Sequence, residues 1–369
     1  MRVGLNTLAC MPGRSGGDAT YVRELVRHLE AVDPQSEYVL FVAPWNQHLF
    51  PPPSGRLQHI VCRAPGGSFA ARVVWEHTLL PRLVEAARLD LFHAPVNVAP
   101  AYLRTPFVLT LLEAEPFMPD SRIPVPLLAY WRLARAWSAR RARTVVAISE
   151  AAALELMRYM HLPARKLTVI HLGVDDTRFP APADAPRDGY LLWVGRSYPR
   201  KNLVRLVEAY SALSPDLRSS HPLVLVGVEG WDDARLRRRV RELGLEAVGH
   251  VRFAGRVPDE SLPEWYRKAS LFVFPSLHEA YGLPVLEALA SGTPVLASDI
   301  PALREVAGDA VDYVSPTDCQ AMTAAMHRML TSPELADQRR ARGLKRVQQF
   351  SWRATAEATH AVYARALGA

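Results

Sequence analysis

At 369 residues, with 49% apolar and 22% charged side chains, the chain has the length of two globular domains with sizeable cores. Its net charge of +7 and sequence pI near 9.5 suit anionic substrates or an anionic membrane surface; no recognised binding motif accompanies the charge, which argues against nucleic acid. Cys10, Cys62 and Cys319 are too few and too far apart for a disulfide framework or a metal site and favour a reducing cytoplasm, and no run reaches the roughly 18 apolar residues that span a bilayer.

Residues 1–5 read as a first strand rather than a signal peptide, which would carry a charged head and a long apolar run. Residues 13–17 then form a glycine loop containing Gly16 and Gly17, and a helix follows over 18–29. The dinucleotide pattern G-x-G-x-x-G is absent, so a nicotinamide cofactor loses support. Apolar strands recur at 38–42, 89–93, 107–111 and 144–148, with helical runs between them. Such alternation predicts a parallel sheet covered on both faces. Arg132, Arg135, Arg140, Arg141 and Arg143 are interleaved with Trp131, Leu133 and Trp137 at helical spacing. They read as a solvated helix with one face in the core, with peripheral membrane contact as the alternative.

The stretch 180–189 is rich in Pro, Ala and Asp and reads as a linker. Beyond it the alternation restarts, with strands at 190–194, 223–227, 250–254, 271–274 and 294–297. The pattern predicts two doubly wound parallel-sheet (Rossmann-like) domains with a cleft between them. The boundaries are 1–185 and 186–351, followed by a terminal segment at 352–369.

The most informative segment follows the strand at 271–274. Its loop delivers Glu279 and turns through Gly282 into a helix expected to open at Pro284, where a missing N–H costs nothing. Glu287 is expected in that first turn, where the helix dipole alone would favour it, and Gly292 ends the helix. Free amides near Tyr281, Gly282 and Leu283 and the positive end of the helix dipole can hold an anion. Two carboxylate acceptors for sugar hydroxyls beside such a cradle suit a nucleotide sugar. Gly282 is expected to be needed for close approach of the ligand.

Glu279-x7-Glu287, set in Pro275-Ser276-x-x-Glu279-Ala280-Tyr281-Gly282-Leu283-Pro284-Val285-Leu286-Glu287 and continued by Ala288 to Val295, resembles the donor-site signature of retaining glycosyltransferase family 4. Val194-Gly195-Arg196 with Lys201-Asn202 resembles the same family's diphosphate-binding pair, and residues 299–310 also fit. The resemblance covers nearly the whole chain and is strongest over residues 190–315.

The resemblance implies a GT-B architecture of two domains facing across a cleft, with the last helix returning to the first domain. It implies that Glu279 binds hydroxyls of the donor sugar and Glu287 those of the ribose. Arg196 and Lys201 would stabilise the charge growing on the leaving diphosphate. Gly16 and Gly17 would face the donor phosphate and the acceptor. Val257, in Arg256-Val257-Pro258-Asp259, would lie in the base-binding turn; Asp259 could accept from a base edge or cap a helix.

One departure stands out. The family often has a histidine after the strand at 107–111, where Thr110-Leu111-Leu112-Glu113 presents Leu112 instead. Glu113, Glu115 and His93 are the candidates to take its place on the acceptor side, and a structural role is equally open for His93.

The implied activity is transfer of a hexose from a GDP-mannose or UDP-hexose type donor to a glycan, lipid-linked or small-molecule acceptor. No cofactor and no metal are implied, and the protein is expected in the cytoplasm, peripheral on the inner membrane face. A nucleotide-sugar-binding protein without turnover, or a same-fold enzyme that epimerises or hydrolyses the donor, remain the alternatives.

Overall fold

The computed structural model describes residues 1–11, 16–119, 121, 123–181, 189–228, 230 and 232–368. The chain divides by packing into Met1–Gly173 with Trp352–Ala369, and Val174–Ser351. The division falls ahead of the expected 185/186, and residues 182–188 of the expected linker lie outside the described residues. The Val174 N–H donates to the Phe350 carbonyl at 3.2 Å, joining the two ends of the second unit.

Among the described residues the first unit holds seven strands: β1 (Arg2–Asn6), β2 (Glu37–Val42), β3 (Leu57–Val61), β4 (Leu91–Ala94), β5 (Phe107–Leu111), β6 (Thr144–Ala147) and β7 (Leu167–Val169). Their order is β3-β2-β1-β4-β5-β6-β7 and the paired strands run parallel. Helices cover such a sheet on both faces, so its central strands read as unbroken apolar runs. All of β5 and four of five residues of β1 are buried. The helix Trp352–Leu367 packs on the helix Gly17–Val32 and sinks Tyr363 fully into this unit.

The arginine-rich helix spans Val125–Arg141. It departs from the expected solvated cationic face at Arg135, which is only 4% exposed. Its guanidinium donates to the Glu113 carbonyl at 2.9 Å and lies 5.2 Å from the Trp131 ring. A planar, weakly hydrated cation with several donors can be buried in this way where an ammonium would cost more.

The second unit holds β8 (Tyr190–Arg196), β9 (Leu223–Val228), β10 (Val251–Gly255), β11 (Ala269–Phe274), β12 (Val295–Ser298) and β13 (Asp312–Val314). The order is β10-β9-β8-β11-β12-β13, again parallel. In each unit the strand order reverses once, between β1 and β4 and between β8 and β11. In open α/β sheets the crevice outside the carboxyl ends of two such strands is where ligands bind.

Candidate active site

The β8/β11 reversal collects three of the residues singled out in the sequence, Arg196, Lys201 and Glu279. Arg196 is the last residue of β8, and Glu279 stands in the loop between β11 and the helix Leu283–Ala290. After β8 the chain makes a single 3-10 turn, Pro199–Lys201, closed by Asn202 at φ 61°. Asparagine tolerates this left-handed conformation better than most residues. Its amide nitrogen donates to the Pro275 carbonyl at 2.9 Å and the Pro316 carbonyl at 2.7 Å. The Leu277 N–H donates back to the Arg200 carbonyl at 2.7 Å. The turn after β8 and the loop after β11 are thereby strapped together.

That strap sets the charges. Lys201 Nζ lies 2.5 Å from Glu279 Oε1, and Arg200 Nη1 lies 3.3 Å from Oε2. Lys201 also sits 4.9 Å from the centre of the Phe274 ring. Glu279 is 9% exposed. Burial alone would raise its pKa, but Lys201 and Arg200 outweigh it and hold the carboxyl below the ordinary glutamate value. An ionised carboxylate only accepts hydrogen bonds, so Glu279 is suited to bind hydroxyls. Arg196 Nη1 donates to the Tyr198 hydroxyl at 3.0 Å. Arg200 was not anticipated, because nothing in the sequence says that the turn aims two adjacent cations at one carboxylate.

The helix begins at Leu283, with Gly282 at its N-cap. The Val285 and Leu286 N–H groups bond to the Gly282 carbonyl, and Pro284 has no N–H. No bond is made by the Gly282 or Leu283 N–H among the described residues. Gly282 has φ 127°, and a Cβ there would come 2.7 Å from Leu303 Cδ2. The backbone conformation by itself favours glycine at this position, and the tip of Leu303 limits the room for a side chain. Gly282→Ala should lower the unfolding free energy by roughly 1–3 kcal/mol, measurable by urea denaturation with the wild-type m-value.

Glu287 falls in the second turn of this helix and not the first. Its Oε2 accepts from the Tyr266 hydroxyl at 2.9 Å. Tyr266 is fully buried, and burial, then the neighbouring Glu287 carboxylate, keep the phenol neutral and donating. Val257 is half-buried in the segment after β10. Asp259 is exposed and does not cap a helix, since the next helix starts at Leu262 with Ser261 at the cap; its carbonyl accepts from Arg178 at 2.8 Å.

In the first unit, residues 12–15 of the glycine loop lie outside the described residues. Gly16 caps the first helix and Gly17 is its first residue, so Gly17 is helical rather than part of the loop. The Gly16 N–H donates to the Asp18 carboxylate at 2.8 Å. Leu112 is half-buried, and its N–H donates to the Asn97 side chain at 2.8 Å. The Glu113 carboxylate stands 3.8 Å from the buried Arg135 guanidinium. Glu115 opens the short turn Glu115–Phe117.

His93 does not reach a ligand surface. It is 0% exposed, with Nδ1 2.7 Å from the Tyr363 hydroxyl and Nε2 2.9 Å from Thr110 Oγ1. Thr110 in turn meets the Tyr21 hydroxyl at 3.0 Å. Both ring nitrogens are engaged, so the structural alternative holds. Burial depresses the imidazole pKa to about 3. Because the folded-state value is the lower one, His93 contributes stability that is fully present above the unfolded value and is lost as pH falls toward 3. The unfolding free energy should therefore drop by about 1.4 kcal/mol per pH unit below about pH 6.5 on this account. His93→Gln should show a shallower fall, measured by denaturation across that range.

Residues 15–178 match the family model "Glycosyltransferase Family 4", and residues 175–346 match "Glycosyl transferases group 1". An "O-antigen chain mannosyltransferase B" of Escherichia coli is 35% identical over 57% of this chain and 58% of that protein, so the chain spans somewhat over half of that relative's length. A "Glycogen synthase" of Mycobacterium tuberculosis is 30% identical over 77% of this chain and 68% of its own. The solved structure of a sucrose-phosphate synthase from Thermosynechococcus elongatus has the same fold over 99% of this chain and 98% of that one, with TM-score 0.78 at 23% identity. The two adjoining matches, the relatives and the shared fold agree: the chain belongs to glycosyltransferase family 4, built on the GT-B fold.

Proposed function

We propose that this chain is a retaining, metal-independent glycosyltransferase that moves a hexose from a nucleoside-diphosphate sugar to a glycan, lipid-linked or small-molecule acceptor. The observation that carries the reading is the ionised, nearly buried Glu279 held by Lys201 and Arg200 at the β8/β11 reversal. Glu279 accepts from the sugar hydroxyls, and Glu287 from the ribose. The leaving diphosphate gains charge as the glycosidic bond breaks, and Lys201 and Arg196 stabilise it more in the transition state than before. The departing phosphate oxygen takes the acceptor's proton on the face where the acceptor attacks. The new bond forms on that same face and the anomeric configuration is kept.

A donor of the GDP-mannose or UDP-hexose class is favoured by the mannosyltransferase named above. A cytoplasmic location with peripheral contact to an anionic membrane is supported by three free cysteines and by Val125 and Leu133, 78% and 74% exposed on the helix that carries Arg132 and Arg140. Among the described residues no helix is long and apolar enough to cross a membrane.

Leu112 offers no titrating group, so Leu112→Ala should change turnover by less than about threefold, against tenfold or more for a group that stabilises charge. Alanine variants of Glu113 and Glu115, assayed alongside, rank the acceptor-side carboxylates. The reading as a whole is tested by measuring binding of a panel of nucleotide sugars, followed by product analysis with and without acceptor. Acceptor-dependent release of nucleoside diphosphate supports it. Binding without turnover, or turnover indifferent to acceptor, would replace it with a binding protein or a hydrolase.

A further inference from the structure

The ligand crevice of a doubly wound unit opens at the carboxyl ends of its strands. The first unit has a second concavity at the opposite, amino edge of its sheet, with a volume of about 550 Å³. Its wall includes Phe107, the first residue of β5, and Arg143 and Lys166, which immediately precede β6 and β7. Gly16, Leu112 and Glu113 follow β1 and β5 and so belong to the other edge of the same sheet.

Five cations line this concavity: Arg104, Arg141, Arg143, Arg165 and Lys166. Among the described residues only Arg104 pairs with a carboxylate, Glu85 at 3.5 Å. Lining residues include no acidic side chain. Arg141 has a local reason to be there, since it closes the last turn of the helix Val125–Arg141, whose dipole favours cations. Arg143 and Arg165 lie outside any helix of that length and have no such reason. Lys166 donates to the Arg140 carbonyl and is pushed toward its neutral form by burial, then by Arg165. Like charges gathered in a concave surface raise the local potential, and a polyanion relieves the repulsion.

We propose that this concavity binds a multiply charged phosphate group. Arginine supplies planar paired donors for phosphate oxygens, and Lys166 a compact third charge. The site shares no residue with the cluster around Glu279 and extends the molecule's function beyond the transfer reaction. The phosphate could be borne by a lipid headgroup or by a soluble phosphate ester, and the two sources are separable.

The test titrates inorganic pyrophosphate into the full chain by isothermal calorimetry. The wild type should show two binding events, one weakened by Lys201→Ala and the other by the double variant Arg143→Glu/Arg165→Glu. The double variant should bind at the second site at least tenfold more weakly, with Arg143→Gln/Arg165→Gln intermediate. Its acceptor-dependent turnover and thermal midpoint should match the wild type. Raising salt should weaken this event strongly, as for any exposed charge contact. The control Arg238→Glu/Arg241→Glu alters the same net charge on exposed arginines of the other unit. An unchanged isotherm in the double variant, or an equal loss in the control, would overturn the proposal. If the donor-site reading alone were wrong, Lys201→Ala would leave the titration untouched while the double variant still lost one event. Sedimentation with phosphatidylglycerol and phosphatidylcholine vesicles separates the sources. Pyrophosphate-reversible pelleting with the anionic vesicles assigns the site to a lipid headgroup; pyrophosphate binding without pelleting assigns it to a soluble ester.

Discussion

Glu279→Gln should reduce kcat/KM for sugar transfer about a hundredfold while leaving free nucleoside diphosphate bound as tightly as before, or more tightly. A hydrogen bond to a charged group contributes roughly 1.5–3 kcal/mol, and weakening those to two sugar hydroxyls amounts to about 3 kcal/mol, or about a hundredfold in rate. The expected gain in diphosphate affinity has a separate cause. Glu279 engages Lys201 at 2.5 Å and Arg200 at 3.3 Å, so it competes with the phosphates for both cations. The amide releases them. Steady-state kinetics with donor, beside calorimetry with nucleoside diphosphate alone, reads the two effects independently. Parallel loss of both would mean that Glu279 serves the phosphate cradle or the fold, and not the sugar.

Lys201→Ala should lower kcat about 10²- to 10³-fold, the range seen when one fixed donor to a developing negative charge is removed. KM should change only a few-fold, because the contact tightens as the leaving group departs. The variant also leaves a 9% exposed carboxylate with Arg200 as its remaining ion-pair partner among the described residues. Some of the loss could then come from Glu279 taking up a proton, and Lys201→Arg, which keeps the charge, separates this by restoring part of the rate. Arg196→Ala should follow the same pattern, since Arg196 ends β8 beside the same turn and stands among the cations assigned to the diphosphate. Chelation with EDTA should not change the wild-type rate. Complete, metal-reversible loss would transfer the role of these cations to an ion.

The central strands were legible because burial on both faces leaves them as apolar runs: β8, β9 and β11 stand out in the sequence. Three strands were not anticipated, and all three are sheet edges: β3, β7 and β13. The burial of β3 is broken by exposed positions, and no residue of β7 is fully buried. With three residues each, β7 and β13 are too short to show a period. The family signature likewise fixed the neighbourhood of Glu279 and Lys201 but not its geometry. That Asn202 in a left-handed conformation ties two loops together, and that Arg200 joins Lys201 on Glu279, depends on contacts between residues more than seventy positions apart. The helix start was misread by one residue in favour of Pro284, which placed Glu287 a turn too early. His93 looked available because it lies near the end of a strand. The helix Trp352–Leu367, from the far end of the chain, brings Tyr363 against it. Arg135 was misread for a similar reason: helical spacing gives a face, but only the packed loop at Glu113 shows which side is inside.

The most direct test of the account follows the anomeric proton of the product by NMR, using purified protein, a bound donor from the nucleotide-sugar panel, an acceptor and excess EDTA. The account predicts a glycoside with the donor's own anomeric configuration, formed only when acceptor is present and at a rate the chelator does not alter. An inverted anomer, or free sugar released regardless of acceptor, would contradict it.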